Sequence, residues 1–220
     1  PPRRPHTMDP TTAGGPSPPP PRTHPHQPTA TVLVLGDLGH SPRMCYHALS
    51  LADSGFSVDL VGREGSALHR SITSHRNITV HRMRPFPSLS RVLFPLWAPL
   101  KLLFDFVLLL WVLLLVVARP RFMLVQTPPA LPTLLVVRLA CWLRGARMVV
   151  DWHNLAFSIM ALGMRGGVAN PLVRVAKLAE RVCGARADQH LCVTDALRSG
   201  EFVLLGVRGR RWVSQPFRPW

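Results

Sequence analysis

Short, β-branched apolar segments alternate with helix-length segments through most of this 220-residue chain. The first of them, TVLVLGDLG from Thr31, ends in glycine, as is typical of a buried parallel strand. The other predicted strands are Phe56–Val61, Ile78–Met83, Phe122–Gln126, Arg147–Trp152 and Gln189–Thr194. This alternation predicts a parallel sheet with right-handed crossovers, that is, a Rossmann-like α/β domain.

Helix signals follow the first predicted strand. Ser41 and Pro42 provide an N-cap and a first helical position, and apolar residues at helical spacing continue to Ser54, where Gly55 ends the pattern. Two further helices are predicted at Leu131–Arg144 and Val168–Cys183. Each lies between two predicted strands, as a crossover connection requires.

Residues 1–30 differ in composition from the rest of the chain. Eleven of the 23 prolines fall there, with almost no aliphatic side chains, so this segment cannot bury enough apolar surface to fold. We therefore expect a disordered tail. No apolar stretch occurs before Thr31, so no signal peptide is predicted there.

Residues 92–118 form the most apolar segment. From Leu102 to Ala118 only Asp105 interrupts the aliphatic and aromatic residues. A helix of this length spans about 26 Å, slightly less than the roughly 30 Å hydrocarbon core of a bilayer. Three placements are open: a helix that enters the membrane without spanning it, a spanning helix, and a crossover helix buried in the protein core. We expect a membrane-associated helix.

Charge and cysteine usage argue against two classes of function. The chain has 26 Lys and Arg against 11 Asp and Glu, a formal charge of +15. The basic residues are dispersed among apolar ones, without an aromatic platform or recognition-helix pattern, so no nucleic-acid partner is expected. The four cysteines, Cys45, Cys141, Cys183 and Cys192, are too irregularly spaced for a zinc site, so we expect buried thiols in a reducing compartment.

The end of the first predicted strand carries a candidate phosphate site. Gly36 and Gly39 permit a tight turn, and the next helix opens at Ser41 with Arg43 in its first turn. Free N–H groups at a helix start and a guanidinium suit a phosphate or diphosphate, although a plain structural turn fits the spacing equally well. Asp37 favours function, because open α/β sheets bind ligands at the carboxyl ends of their strands.

Four functional side chains follow one another at the end of the fifth predicted strand. Asp151, Trp152, His153 and Asn154 supply a carboxylate, an indole, an imidazole and an amide. Asp151 can orient an imidazole, and His153 can act as an acid, a base or a hydrogen-bond donor to a sugar; a core histidine is the alternative. The proline-rich loop Gln126–Pro132 reaches the same edge of the sheet, either as a binding surface or as a rigid connection.

The chain resembles the amino-terminal half of the chitobiosyldiphosphodolichol β-mannosyltransferase family. Four stretches, in order, carry the resemblance: LGDLGHSPRMCYHALSLADSGFSVDLVG, QTPPALPT, VVDWHNLAFSIMALG and HLCVTDAL. They cover about residues 31–197 and imply the acceptor half of a two-domain GT-B glycosyltransferase, whose carboxyl-terminal domain holds the donor. The expected domain is therefore 31–198, followed by a divergent tail at 199–220.

The resemblance implies transfer of the first mannose, in β-1,4 linkage, from GDP-mannose to GlcNAc2-diphosphodolichol. This step of lipid-linked oligosaccharide synthesis for protein N-glycosylation takes place on the cytosolic face of the endoplasmic reticulum membrane. The predicted catalytic residues are Asp37, His153 and Asp151, with Asp37 as the first choice of base. The predicted acceptor- and diphosphate-binding residues are Gly36, Gly39, Ser41, Arg43 and Asn154. No cofactor and no metal are implied.

Absence of the donor domain from these 220 residues leaves a second hypothesis open. We expect a truncated form of the enzyme. The alternative is a catalytically inactive, membrane-associated half that binds the acceptor or another glycosyltransferase chain.

Overall fold

A parallel sheet of seven strands forms the centre of the computed structural model, which describes residues 27–87, 94–192 and 212–214. The strands are β1 (Thr29–Asp37), β2 (Ser57–Arg63), β3 (Ile78–Met83), β4 (Phe122–Thr127), β5 (Arg147–Trp152), β6 (Gln189–Cys192) and the short β7 (Trp212–Ser214). Their order is β3-β2-β1-β4-β5-β6-β7, and every neighbouring pair is parallel. The predicted Rossmann-like parallel sheet is therefore confirmed.

Helices cover both faces of this sheet. One face carries α1 (Pro42–Asp53) and α2 (Arg70–Thr73). The other carries α3 (Phe94–Trp111, continued by a π-helical turn, Val112–Val116), α4 (Thr133–Arg144), α5 (Ala156–Gly163) and α6 (Pro171–Ala179, continued by a π-helical turn, Glu180–Gly184). Alternate strand residues supply the two cores: Val32 and Val34 face α1, whereas Leu33 and Leu35 face the opposite helices.

The direction of the connections reverses between β1 and β4. The chain passes from β1 through α1 to β2 and β3, and from β4 through α4 to β5 and β6 on the other side. In open α/β sheets, ligands bind in the crevice at such a switch point, outside the carboxyl ends of the strands. Thr127 ends β4 in register with Trp152 of β5. The carboxyl ends of β1, β4 and β5 therefore form the edge where the predicted site residues lie.

Most predicted elements are present, although α4 begins at Thr133 and not at the predicted Leu131. Strands β3 and β5 have the predicted bounds. Helix α6 begins at Pro171 and not at Val168, because Asn170 accepts the Leu172 N–H at 2.9 Å and caps the helix there. Residues 167–169 form a separate 3-10 turn.

The ends of the chain differ from expectation in two places. Thr29 and Ala30, which were expected in the disordered tail, begin β1 and are hydrogen-bonded into the sheet; residues 1–26 lie outside the described residues. β7 lies within 199–220, where no strand was predicted, and pairs with β6. The end of β6 predicted at Thr194 also lies outside the described residues.

The most apolar segment forms α3 and its π-helical turn, the crossover from β3 to β4. One side packs in the core through Leu109 and Leu113, whereas Val107 and Leu115 on the other side are exposed. The helix Ala98–Val116 is long and apolar enough to cross a membrane, with a mean hydropathy of 2.4 and 22% of the segment buried. The alternative of a crossover helix fully buried in the protein core therefore fits this packing poorly.

Polar contacts fix α3 to the domain at two points. Asp105, the acid inside the apolar segment, is buried and accepts hydrogen bonds from Arg63 of β2 and from Lys101, both at 2.6 Å. Farther along, Arg144 of α4 donates to three main-chain carbonyls between residues 113 and 118, at 2.9–3.1 Å. Such carbonyls have no partner within the helix at its C-terminal end. Within the part of the chain that the structure describes, protein covers one side of α3 and leaves the other side exposed.

Candidate active site

The carboxylate of Asp37 holds the loop between β1 and α1. Its Oδ1 accepts the Gly39 N–H at 2.9 Å, and its Oδ2 accepts the main-chain N–H and the hydroxyl of Ser66 at 2.9 and 2.8 Å. Nδ1 of His40 lies 2.7 Å from Oδ2. The Ser66 N–H, followed by the bonds from His40 and the Ser66 hydroxyl, holds the pKa of Asp37 well below its usual range. An ionised Asp37 thus joins the loops that follow β1 and β2.

Gly39 is required by the close approach of these two loops. A Cβ at this position would lie 2.6 Å from the Ser66 Cβ and 2.9 Å from the Ser66 carbonyl oxygen. At Gly36 the nearest atom would be 3.5 Å away, an ordinary contact. Ser41 donates its hydroxyl to the Asp37 carbonyl at 3.1 Å and so supports the same turn, although it makes no side-chain cap of α1.

Asp151 forms a buried ion pair with Arg43. Nε and Nη2 of Arg43 donate to the two carboxylate oxygens at 2.6 and 3.0 Å, and Asp151 is completely buried. His47, one turn farther along α1, places Nε2 3.6 Å from the same carboxylate. Burial raises the pKa of Asp151, but the neighbouring His47 and Arg43 together outweigh burial, so the pKa lies below its usual value. The ion pair ties the first turns of α1 to β5.

The end of β5 divides into buried and exposed residues. Trp152 is buried, and its Nε1 donates to Nδ1 of His190 at 3.0 Å. His153 and Asn154 are exposed, and the His153 N–H donates to the Thr127 carbonyl at 3.1 Å. That main-chain bond holds the backbone of His153 beside the end of β4.

Two buried oxygens at this edge have no hydrogen-bond partner among the described residues: Oε1 of Gln126 and Oγ1 of Thr127. Gln126 is in register with Asp151 on the neighbouring strand. Successive residues of a strand point to opposite faces of a sheet, so these two oxygens lie on opposite sides of β4 and do not form one ligand site.

Sequence and structure agree on where the predicted site residues lie. All of them are at the carboxyl edge beside the switch point: Gly36, Asp37, Gly39, Ser41 and Arg43 in or just after the loop that follows β1, and Asp151, His153 and Asn154 at the end of β5. The structure brings Arg43 and Asp151 into direct contact. It places Asp37 in a different cluster, with His40 and Ser66.

Three contacting residues were not predicted. His47 follows Arg43 by four positions, and this spacing on one helix face could have indicated it. His40 lies three residues after Asp37, within reach of it across the turn. Ser66 gave no local signal, because its contact with Asp37 spans 29 residues.

Cavity volume alone does not locate this site. A groove of ≈ 460 Å³ lies on the α1 face, and its apolar walls include Phe122, Leu124, Val149 and Leu191. Arg121, which directly precedes β4, and Arg147, the first residue of β5, also line the groove. The groove is lined by α1 and by residues of β4, β5 and β6, and it lacks the carboxylates of the switch point. His47 lines the groove and also lies 3.6 Å from Asp151, so the groove adjoins the Asp151 cluster.

The described residues contain no group of three or more His, Cys, Asp or Glu side chains that could hold a metal ion. The edge offers the exposed imidazole of His153, the exposed amide of Asn154 and the exposed imidazole of His40, whose Nδ1 is bound to Asp37. Beside them lie two carboxylates whose oxygens already accept hydrogen bonds. Such a set can hydrogen-bond sugar hydroxyls and accept one proton.

Residues 39–215 match the family model of the glycosyl transferase 4-like domain. The chain belongs to this family. The match continues past residue 198, where the resemblance was expected to end, and includes β7.

Two of three similar relatives carry the name of the family that the sequence resembles, and the third has a different glycosyltransferase name. The chitobiosyldiphosphodolichol beta-mannosyltransferase of Dictyostelium discoideum is 38% identical over 180 residues, which are 76% of this chain and 36% of that protein. The human protein of the same name is 39% identical, over 76% of this chain and 35% of its own length. The UDP-glycosyltransferase TURAN of Arabidopsis thaliana is 42% identical, over 86% of this chain and 42% of that protein. The chain thus spans well under half the length of these relatives.

Solved structures support the fold. The Glycyrrhiza uralensis glycosyltransferase UGT73P12 superposes with a TM-score of 0.53 at 17% identity, over 86% of this chain and 48% of that chain. LpCGTa in complex with UDP superposes with a TM-score of 0.54 at 12% identity, over 86% of this chain and 52% of that chain. The family member described here therefore has the architecture of one half of a GT-B glycosyltransferase.

Proposed function

We propose that this chain is the acceptor-binding half of a β-1,4-mannosyltransferase that transfers the first mannose from GDP-mannose to GlcNAc2-diphosphodolichol. The observation that carries the proposal is the open pair His153 and Asn154, next to two anchored loops at the switch point. The name shared by the Dictyostelium and human relatives supports the acceptor and the sugar. The GDP-mannose site is assigned to the other half of the enzyme.

In the proposed reaction the 4-hydroxyl oxygen of the acceptor attacks the anomeric carbon of GDP-α-mannose with inversion. The new carbon–oxygen bond forms while the bond from that carbon to the GDP phosphate oxygen breaks. GDP leaves with the electron pair of the broken bond, and the hydroxyl proton passes to a base on the protein.

His153 is the group that we assign to this proton. Asp37 was the first choice from the sequence, but its carboxylate accepts hydrogen bonds from Gly39, Ser66 and His40. Bonds that hold the pKa of a carboxyl low also make the carboxylate a weak proton acceptor. Asp37 is accordingly proposed to shape the loop, and Asn154 to hydrogen-bond a sugar hydroxyl.

Arg43 and Asp151 have a positioning role in this proposal. Their ion pair fixes the start of α1, a helix of 12 residues whose amino-terminal end lies at the ligand-binding edge. The N–H groups of a helix amino terminus favour anionic groups, so we assign the acceptor diphosphate to this turn, beside Gly36. Arg43 then contributes its positive charge but not its Nε and Nη2 donors, which Asp151 already binds.

Membrane attachment is assigned to α3. Its exposed side carries apolar residues such as Leu103, Val107 and Leu115, and protein covers the opposite side. A helix attached along the domain in this way suits partial immersion in a bilayer, with the domain on the cytosolic face of the endoplasmic reticulum membrane.

Acceptor binding tests this assignment. The 220-residue chain, reconstituted in lipid nanodiscs, is titrated with a GlcNAc2-diphospholipid, and the variant His153→Ala is compared with His75→Ala. His75 pairs with Asp53 at the opposite end of α1 and serves as the matched control. We expect His153→Ala to weaken binding by about tenfold, the value of one hydrogen bond to a polar ligand, and His75→Ala to leave it unchanged. Equal affinities for both variants would contradict the site.

Catalysis is tested with the same chain and radiolabelled GDP-mannose. The proposal expects mannosyl transfer only when the donor half of the enzyme is supplied, and loss of that transfer in His153→Ala. Acceptor binding without any transfer in the completed enzyme would favour the second hypothesis, an inactive half that binds the acceptor or another chain.

A further inference from the structure

Helix α6 presents an apolar stripe to the outside of the domain. Leu172, Val175 and Leu178 recur at helical spacing and are 55%, 52% and 58% exposed. Val173 and Ala176 on the inner side are buried in the core. The inner stripe already accounts for the packing of α6 on the sheet. A second apolar stripe on a surface helix is the pattern of a helix that contacts something outside the domain.

Basic residues flank the exposed stripe. Arg174 is exposed beside the stripe, and Arg181 follows in the π-helical turn. Lys177 is partly buried, and its ammonium lies 5.2 Å from the centre of the Phe157 ring. Residues 156–184 contain one acid, Glu180, whose buried carboxylate accepts the Ala156 N–H at 2.7 Å. The outer surface of α5 and α6 is therefore apolar and cationic, with no exposed acid.

The apolar surface continues beyond α6. Trp142 of α4 is 76% exposed, and Leu162 of α5 is 91% exposed. α4 contacts both α3 and the π-helical turn after α6, so these helices lie side by side on the face opposite α1. The acid in α3, Asp105, is buried and paired. The described parts of α3, α4, α5 and α6 are therefore apolar and basic on their outer side, without an exposed acid.

We propose that this face, formed by α3, α4, α5 and α6, lies on an anionic lipid surface, with α6 as an interfacial helix. Leu172, Val175 and Leu178 insert among the acyl chains, and Arg174 and Arg181 bind lipid phosphates. Lys177 adds its positive charge to the same surface. An exposed Trp suits the boundary between water and hydrocarbon. The inference rests on the proposed membrane attachment through α3 and adds a second, charge-dependent contact to it.

Charge favours a bilayer over a second copy of the chain. In a symmetric pair each α6 would meet the same surface of its partner, so Arg174 and Lys177 of both copies would come together without an acid between them. Like charges in close contact repel one another. An anionic lipid surface instead neutralises them and covers the apolar stripe at the same time.

Partition onto vesicles tests the charge-dependent contact. The full chain is titrated with phosphatidylcholine vesicles with and without phosphatidylinositol. At about 1 kcal/mol for each basic residue near an anionic surface, the triple variant R174Q/K177Q/R181Q loses at least tenfold in partition onto the anionic vesicles and nothing on the neutral ones. The matched triple variant R70Q/R76Q/R82Q, changed at exposed positions of α2, the following turn and β3, keeps normal partition. Equal losses in the two triple variants would overturn the proposal.

Hydrogen exchange separates failure of this inference from failure of the attachment through α3. On anionic vesicles we expect slower exchange in peptides from both 98–116 and 171–184, with peptides from α1 unchanged. Protection of 98–116 without 171–184 overturns the role of α6 and leaves the attachment through α3 standing. Protection of neither segment overturns both. Protection of 171–184 that rises with chain concentration in the absence of lipid shows a second copy as the occupant and also overturns the inference.

Discussion

Asp37 and Asp151 stand at the carboxyl ends of two strands on the same edge of one sheet, yet they are held differently. Asp37 lies near the surface and is bound by main-chain N–H groups, a hydroxyl and the exposed imidazole of His40. Asp151 is completely buried and receives both of its hydrogen bonds from Arg43. The first carboxylate shapes a loop, whereas the second fixes a helix.

This difference teaches that a carboxylate at the ligand-binding edge need not itself be catalytic. Both carboxylates are ionised and already hydrogen-bonded. The bonds of Asp37 hold the loops that follow β1 and β2, and those of Asp151 hold the start of α1. In our proposal these two carboxylates therefore act mainly on geometry, and His153 and Asn154, the exposed neighbours of Asp151, contact the ligand.

Removing one partner from each carboxylate should give the largest difference in stability between the Asp151 cluster and the Asp37 cluster. Arg43→Met leaves the buried charge of Asp151 with only His47 nearby and should lower the free energy of unfolding by about 3 to 5 kcal/mol. His40→Ala removes an exposed partner and should lower it far less, because surface ion pairs contribute little. Urea denaturation followed by circular dichroism measures both. Similar midpoints for the two variants would mean that the Asp151 pair is not a structural anchor.

A methyl group at Gly39 probes the Asp37 side of the comparison. Gly39→Ala forces a Cβ against the Ser66 backbone and should cost about 1 to 3 kcal/mol, as overpacking usually does. Gly163→Ala is the matched control, because a Cβ there meets no atom within 4 Å. Thermal unfolding should show a lower midpoint for Gly39→Ala only. An unchanged midpoint would show that the two loops are free to separate.

Acid should destabilise the chain through both carboxylates. Each has a lower pKa in the folded chain than in the unfolded one, so the unfolded chain binds protons first as the pH falls. The stabilisation is complete above the ordinary carboxyl pKa of about 3.9 and is lost as the pH falls through the folded values. Asp37→Asn should reduce this acid dependence when unfolding is measured between pH 6 and pH 3, a range of about one unit or more on either side of that pKa. If the free energy of unfolding falls equally with pH in the variant and in the parent chain, Asp37 does not contribute to the acid dependence.

The sequence predicted the sheet well because its strands are short apolar segments with glycine, proline or basic residues at their ends. β3 and β5 were placed correctly from such patterns alone. The start of α6 was missed because the apolar pattern runs through Val168, whereas the cap at Asn170 and the proline after it set the boundary. The π-helical turns after α3 and α6 have no local pattern and depend on packing.

The site could be predicted as a location but not as a set of contacts. Strand ends at a switch point are recognisable from the order of elements, so Asp37 and His153 were found at the right edge. The pairing of Arg43 with Asp151 spans 108 residues, and the sequence offers no local reason to match those two partners. Sequence analysis therefore took Arg43 for a diphosphate ligand and Asp151 for a catalytic group, roles that their shared ion pair now makes secondary in our proposal.

Photocrosslinking tests the central claim most directly, that the acceptor binds at the carboxyl edge beside His153. A GlcNAc2-diphospholipid with a photoreactive group on its terminal sugar is irradiated with the reconstituted chain, and the modified peptides are identified by mass spectrometry. Our account predicts labelling of 36–43 and 153–154, competed by unlabelled acceptor. Competed labelling confined to the groove lined by Phe122, Leu124, Val149 and Leu191 would contradict it.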